Sequence, residues 1–229
     1  MQATDFLLTE KVSMEVYVWP ISRRTNHTCR NRLNVSATEE QVMHEPPQNP
    51  WKTLSTRPVY NNDWIKVEEH QVITPGGSPG IYGKVSFKNQ AVGVIPLDEQ
   101  GNTWLVGQYR YTLNEWSWEI PMGGSPRKED KQKTALRELE EETGLKAASL
   151  TELLQLHTSN SITDERGIIY LATGLSQGEQ QLEDSEKDIQ LKKLSLDEAI
   201  AMATSGEITD AMSVAGFLYL ALNRAELEL

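Results

Sequence analysis

The sequence predicts an α+β fold, and three observations carry that expectation. Between Trp51 and Pro121, apolar residues come in short alternating or continuous runs separated by Pro, Gly and Asn, the pattern of strands and turns. An acidic segment follows in which Leu136 and Leu139 stand three apart and Gly144 closes the run, the pattern of a helix. After further strand-like runs, the C-terminal stretch returns to helical periodicity.

Residues 1–45 hold short apolar clusters, Phe6-Leu7-Leu8 and Val16-Tyr17-Val18-Trp19, in a polar stretch without sustained periodicity, and are expected to be a loosely attached or disordered tail. Met43, just before the strand-rich region, offers an alternative translation start. Residues 46–88 are expected to form a small antiparallel β-subdomain. Ile65–Val72 and Ile81–Phe87 alternate about a Pro-Gly-Gly turn, with an earlier strand in TRPVYNNDW. Residues 89–229 form the main domain. In it, Gln90–Leu97 and Thr103–Tyr111 flank a turn at Asp98–Asn102 and read as a hairpin, and Trp116–Pro121 is a strand leading to Gly123. Ser125 and Pro126 are expected in a loop.

A helix is predicted from about Asp130 to Thr143. At roughly 100° per residue, Glu138, Glu141 and Glu142 fall on one face and Glu140 on the opposite side. Carboxylates so placed repel one another, and hard oxygen donors converging from one side suit Mg²⁺ or Mn²⁺. Arg137, one turn before Glu141, can hold a carboxylate with its fork of donors, and Glu129 is its expected partner. Most Glu-rich runs are merely solvated faces. The whole pattern is more specific: Gly123, Glu129, Arg137, Glu138, Leu139, Glu141, Glu142, Gly144 and Leu145 occur at fixed spacing, with a chance probability of about one in ten million from ordinary residue usage.

Beyond the helix, Leu150–His157 and Gly167–Thr173 read as strands joined by a loop at Asn160–Arg166, and Ile189–Leu194 is another strand. Ser195-Leu-Asp-Glu198 is a capping box that opens a helix ending near Gly206. Thr209 or Asp210 caps a last helix from Ala211 to about Arg224, whose broad apolar face belongs to the core. The acidic stretch Glu179–Asp188 reads, by itself, as a solvated loop.

The segment 123–145 resembles the Nudix box at every specified position. Gln108-Tyr109-Arg110 and Trp118-Glu119-Ile120-Pro121 extend the likeness to the ADP-ribose pyrophosphatase-like subgroup over about residues 50–225. The resemblance implies an α/β/α sandwich with a mixed sheet. It also implies hydrolysis of a diphosphate, with Glu138, Glu141, Glu142 and the backbone carbonyl of Met122 as ligands of Mg²⁺ (or Mn²⁺), and Arg137 and Glu129 orienting the acids. Arg110, Gln108 and Glu119 would meet the substrate; a cation at a strand end beside the box is also suited to a diphosphate on chemical grounds. In the subgroup an acid on the mobile loop activates water, and here that acid is Glu186, with Glu183 behind it. A homodimer formed through the N-terminal strands is implied too. The expected substrate is a nucleoside diphosphate sugar, ADP-ribose first. Asn160 occupies the position where the subgroup usually carries a marker proline, so GDP-sugars, oxidised nucleotides and dinucleotides stay open, as does a non-catalytic nucleotide-binding regulator.

Composition narrows the remainder. The 229 residues carry a net charge of −11 with no basic stripe, which argues against a nucleic-acid partner. A single cysteine, Cys29, excludes an internal disulfide and fits a reducing compartment. No apolar run is long enough for a bilayer and the N-terminus carries acids where a signal peptide wants a basic end, so a soluble, cytoplasmic protein without membrane association is expected. No Ser, Cys or Lys has an activating neighbour, so water is the expected nucleophile.

Overall fold

The computed structural model describes residues 48–227, so the tail expected over 1–45 lies outside the described residues. Three strands, β1 (Lys52–Asn61), β2 (Ile65–Ile73) and β3 (Pro79–Phe87), form an antiparallel sheet in the order β1-β2-β3, as the alternating pattern predicts. Its turn is built at Thr74–Ser78, where Gly77 takes the left-handed conformation with φ 87°.

The rest of the described chain contains β4 (Asn89–Pro96), β5 (Asn102–Arg110), β6 (Glu115–Glu119), β7 (Met122–Pro126), α1 (Lys131–Thr143), β8 (Leu145–Lys146), β9 (Ser149–His157), β10 (Arg166–Thr173), β11 (Ser176–Gln177), β12 (Gln190–Ser195), α2 (Leu196–Ser205) and α3 (Ala211–Asn223). A mixed four-stranded sheet runs β7-β4-β10-β9, with β4 and β10 parallel and the other pairs antiparallel. A second sheet, β12-β5-β6, is antiparallel, and β8 and β11 make a short ladder.

Two expectations are corrected here. The turn at Asp98–Asn102 exists, with the Asp98 carboxylate accepting from the N–H groups of Gln100 and Asn102, yet the strands it joins do not pair. β4 goes to the four-stranded sheet and β5 to the three-stranded one. The reason lies in β4, where residues 92–96 are buried throughout: both of its edges are taken by β7 and β10 and both of its faces by helices. Ser125 and Pro126, expected in a loop, belong to the edge strand β7, with Val92 opposite Gly123 and Gln90 opposite Ser125. An edge position tolerates the glycines and the terminal proline that made this stretch look irregular.

Side chains alternate across β4 and β10 to build two cores. Val92, Val94, Ile168 and Tyr170 pack against Ala135 and Leu139 of α1. Ile95, Ile169 and Leu171 face the other way, onto Met212, Phe217 and Leu220 of α3 and Ala199 and Met202 of α2. This is the α/β/α layering. The helix ends follow local chemistry: Asp130 accepts from Gln132 N at the start of α1 and Gly144 ends it at φ 70°. Ser195 and Glu198 form the expected capping box of α2, and Asp210, not Thr209, caps α3. Ser213 of α3 also accepts, at its Oγ, the Ile120 N–H at 2.9 Å, which ties that helix to the strand end before the box.

β3 is fastened to the loop between β9 and β10. The Val85 N–H donates to Ile162 O, the Asp164 N–H to Val85 O, and the Asp164 carboxylate binds Lys84 Nζ at 3.0 Å and accepts from Ser86 Oγ at 2.9 Å. No described helix is long and apolar enough to cross a membrane.

Candidate active site

α1 presents its C-terminal half to β7. Glu142 is 1% exposed and Glu138 6%, while Glu141 is half-buried. The helix packs so closely on β7 that a Cβ placed on Gly123 would lie 2.0 Å from the Glu138 carboxyl carbon, so the glycine is required to leave room for that carboxylate. Thr134 and Ser125, both fully buried, lock helix to strand through an Oγ1–Oγ hydrogen bond of 2.9 Å.

Arg137 donates to Glu138 at 2.7 Å and to Glu141 at 2.6 Å, which is the fork the spacing anticipated. Its expected partner Glu129 takes no part. That residue lies before the helix cap, more than two turns from Arg137, and makes no ion pair among the described residues. Glu142 accepts the Met122 N–H at 2.9 Å, placing the Met122 backbone beside the acid cluster. Glu140 points away and pairs with Lys146.

Burial dominates the electrostatics. The Glu138 carboxyl is pushed up to about 7 by desolvation; Arg137 opposes this, and the charges of Glu141 and Glu186 add to it. Glu142 is likewise raised by burial, against the Met122 N–H, with Glu138 and Glu186 contributing repulsion. A protein that buries acids in this way needs a cation or a proton to balance them. The donor set is hard oxygen, suited to Mg²⁺ or Mn²⁺. In the conformation described, Arg137 draws Glu138 and Glu141 and Met122 draws Glu142, and no three acids or histidines among the described residues are grouped around one point.

Two adjoining clefts open along β7, and the first lies over this helix face. One, of about 270 Å³, is lined by Arg137, Glu138, Glu141, Glu183 and Glu186, so the structure brings both loop acids to the box. The other, of about 280 Å³, is more apolar and is lined by Phe87, Ala91, Arg110, Met122 and Glu165. Trp64, Asn89, Gly123 and Gly124 border both, and Trp64 is 69% exposed.

Arg110 is not free to use its whole fork. Its Nε donates to Glu119 at 2.7 Å and its Nη2 to the other Glu119 oxygen, and Glu119 is only 2% exposed. Glu119 thus orients Arg110 from behind; it is not itself presented to the cleft. Gln108 lies two residues earlier on β5, half-buried and outside the lining of either cleft. Sequence reasoning passed over Asn89, Glu165 and Gln180, which have neither charge clustering nor periodicity to mark them. Gln180 donates from Nε2 to Glu142 O at 2.7 Å.

Comparison with known proteins follows the same outline. The family model described as NUDIX domain matches residues 88–213, and the one described as nucleoside diphosphate sugar hydrolase N-terminal domain matches residues 51–85. An ADP-ribose pyrophosphatase of Mycobacterium tuberculosis is 34% identical over 136 residues, which are 57% of this chain and 63% of that protein. An ADP-ribose pyrophosphatase of Bacillus subtilis is 33% identical over 58% of this chain and 71% of its own length. The methanol dehydrogenase activator of Bacillus methanolicus is 35% identical over 56% of this chain and 69% of its own. Among solved structures, one described as an ADP compounds hydrolase superposes with a TM-score of 0.71 at 18% identity, over 80% of this chain and 98% of that one, and shares the fold.

Proposed function

The chain belongs to the Nudix family, hydrolases of phosphorus-containing anhydrides, and from that premise we propose that it cleaves the diphosphate of a nucleoside diphosphate sugar, ADP-ribose foremost, to a nucleoside monophosphate and a sugar phosphate. One observation carries the reading: two buried carboxylates, Glu138 against Gly123 and Glu142 against the Met122 N–H, sit beside two adjoining clefts, one lined by Glu138 and Glu141 and the other by Arg110. The match of residues 51–85 to a nucleoside diphosphate sugar hydrolase N-terminal domain and the two ADP-ribose pyrophosphatase relatives support the substrate class.

Glu138, Glu141, Glu142 and the Met122 carbonyl would hold a divalent cation, Mg²⁺ or Mn²⁺, which when bound supplies Lewis-acid stabilisation of charge on the phosphates. Arg137 keeps the carboxylates on one side of the helix. Arg110, its outer edge turned by Glu119, offers Nη1 to the diphosphate. Trp64, exposed at the cleft border, offers a flat apolar face to a base. Glu186 takes a proton from the attacking water as its oxygen bonds to phosphorus and the anhydride P–O bond breaks, the leaving phosphate oxygen keeping the electron pair. Glu183 is the second candidate for this proton. Hydrolysis of a panel of nucleoside diphosphate derivatives, with and without Mg²⁺, tests the reading: ADP-ribose should be turned over fastest and only with the cation. A panel led by a GDP-sugar or a dinucleotide would keep the chemistry and replace the substrate, and Asn160 in place of the subgroup's marker proline is the feature that favours that outcome.

The assembly is proposed on the same footing. β1 is exposed along its whole length, with Leu54, Val59 and Tyr60 uncovered and Trp51 exposed just before it, and a three-stranded sheet with so little cover gains stability by meeting a second copy. Sedimentation should give a dimer at micromolar concentration; a fully active monomer would refute it.

A further inference from the structure

The acidic loop does not leave the box helix freely. The last carbonyls of a helix have no intrahelical partner, and in α1 these carbonyls receive the start of the loop. The Gly178 N–H donates to Gly144 O at 2.7 Å, the Gln181 N–H to Glu141 O at 2.9 Å and Gln180 Nε2 to Glu142 O at 2.7 Å. Close approach is built in, since a Cβ on Gly144 would meet Gln180 N at 3.2 Å and one on Gly178 would meet Glu140 Oε1 at 2.8 Å.

Past Gln181 the character changes. Until β12 begins at Gln190, the hydrogen bonds are mostly local: Glu186 N–H to Glu183 O at 3.0 Å, Ile189 N–H to Glu186 O at 2.9 Å and Lys187 to Asp184 at 2.7 Å. The Glu186 carboxylate accepts its own turn's Glu183 N–H at 3.2 Å, and the contact across to β5 is a 3.3 Å bond from Tyr109 N–H to Asp188. A segment with few buried contacts and fixed ends moves as a flap whose reach is set by its anchors.

We propose that Gln180 is a positioning residue, a clamp that fixes the root of the acidic loop on the Glu141–Glu142 turn so that Glu186 arrives in register with the box carboxylates. It acts through Glu186 and so rests on the reading that the loop supplies the proton acceptor. Glutamine suits the place: its amide donates to the carbonyl without bringing a positive charge to the acid cluster or, as glutamate would, a second acceptor to face the first.

The test is Gln180→Met, which keeps length and removes the donor, compared with Glu186→Gln and the double variant. Two readouts are used, turnover with Mg²⁺ and deuterium uptake of the metal-free protein. Gln180→Met should lower kcat about tenfold through misplacement of Glu186, with KM and melting temperature unchanged. Uptake over residues 182–188 should quicken while that over α1 stays as in the parent. The double variant should be no slower than Glu186→Gln alone, since a clamp for an absent base has nothing to position. Unchanged uptake in Gln180→Met, or losses that multiply in the double variant, would overturn the proposal. If Glu186→Gln leaves kcat intact, the assignment of the base fails instead, and uptake in the metal-free protein still decides whether the clamp exists.

Discussion

The box helix carries three glutamates on one face and the acidic loop three along its length, and the fold treats them in opposite ways. On α1, Glu138 and Glu142 are sunk against β7 where their charge is expensive, and only Glu141 keeps partial contact with water. On the loop, Glu179 and Glu183 are exposed and Glu186 is half-buried at the rim of the cleft. A rigid helix fixes the distances between its acids to within a rotamer, whereas a segment pinned only at its ends lets one acid approach and withdraw. The difference teaches that similar composition serves two tasks. On the proposed roles, the acids that would hold a cation are pre-placed despite the desolvation cost, and the acid that would exchange a proton with water stays near water.

The largest break in this contrast should come from Glu142→Gln. Removing a ligand takes away several kcal/mol of transition-state stabilisation, so kcat should fall by roughly three orders of magnitude or more. Because burial raises the Glu142 carboxyl, its charged form is unfavourable in the metal-free fold, and the neutral amide should leave the melting temperature in EDTA unchanged or higher. Its oxygen still accepts the Met122 N–H. A large drop in melting temperature would show that Glu142 is a structural residue.

On the loop, Glu186→Gln should lower kcat by roughly a hundredfold, the scale of a lost general base, while KM and the Mg²⁺ requirement stay as they were. A raised Mg²⁺ requirement would place Glu186 with the ligands and erase the contrast. If Glu183→Gln shows the effect and Glu186→Gln does not, the role moves three residues along the same flap.

How much of this was legible in the sequence divides along the same line. The helix was readable because its acids, its arginine and its terminal glycine are all local signals, and the structure begins it at Lys131 after the Asp130 cap. The Ser195–Glu198 capping box was readable for the same reason. What escaped was decided by distant partners. Nothing within 89–110 says that β4 and β5 belong to different sheets, because that follows from β10 inserting beside β4. β7 is not recognisable in the sequence, and its end at Ser125 and Pro126 reads as a loop, because Gly123, Gly124 and Pro126 are poor strand formers; the Glu138 carboxylate against Gly123 accounts for the glycine there. The Arg137–Glu129 pairing failed because Glu129 precedes the cap, off the helix that carries Arg137. Gln180 carried no signal at all, since its value depends on a carbonyl 38 residues away.

Glu119 supplies an internal control: a buried carboxylate whose charge is balanced by Arg110, with no need for a metal. Glu119→Gln loses one charged hydrogen bond to the guanidinium, so Arg110 should lose its fixed orientation. KM for the nucleoside diphosphate sugar should rise about tenfold with a smaller change in kcat. The metal dependence should not move. If it does, Arg110 and Glu119 are coupled to the acid cluster and the three buried acids form one network.

The smallest effect expected is on stability, and it separates buried charge from buried carboxyl. In the metal-free fold Glu138 is raised from the ordinary 4.5 to about 7, mainly by desolvation. Below pH 4.5 both folded and unfolded chains carry the proton and the group costs nothing. Between 4.5 and 7 the unfolded chain releases the proton while the folded chain retains it, so the folded state binds more protons and stability falls as pH rises. Glu142, shifted the same way, adds to that slope. Asp98, held down to about 2 by Lys193 and the Asn102 contacts against its own burial, gives stability that is lost only as pH falls below its ordinary 3.8, outside this window. The melting temperature in EDTA should therefore decline by several degrees from pH 5 to pH 7, at about 2–4 °C per kcal/mol for a domain of this size. Glu138→Gln should flatten the decline, and Mg²⁺ should reverse it for the parent chain, because binding favours the ionised carboxylates and releases their protons. A melting temperature that rises over this range by the same amount in parent and variant would mean that Glu138 is ionised without cost, and the distinction between the two acidic regions would then rest on geometry alone.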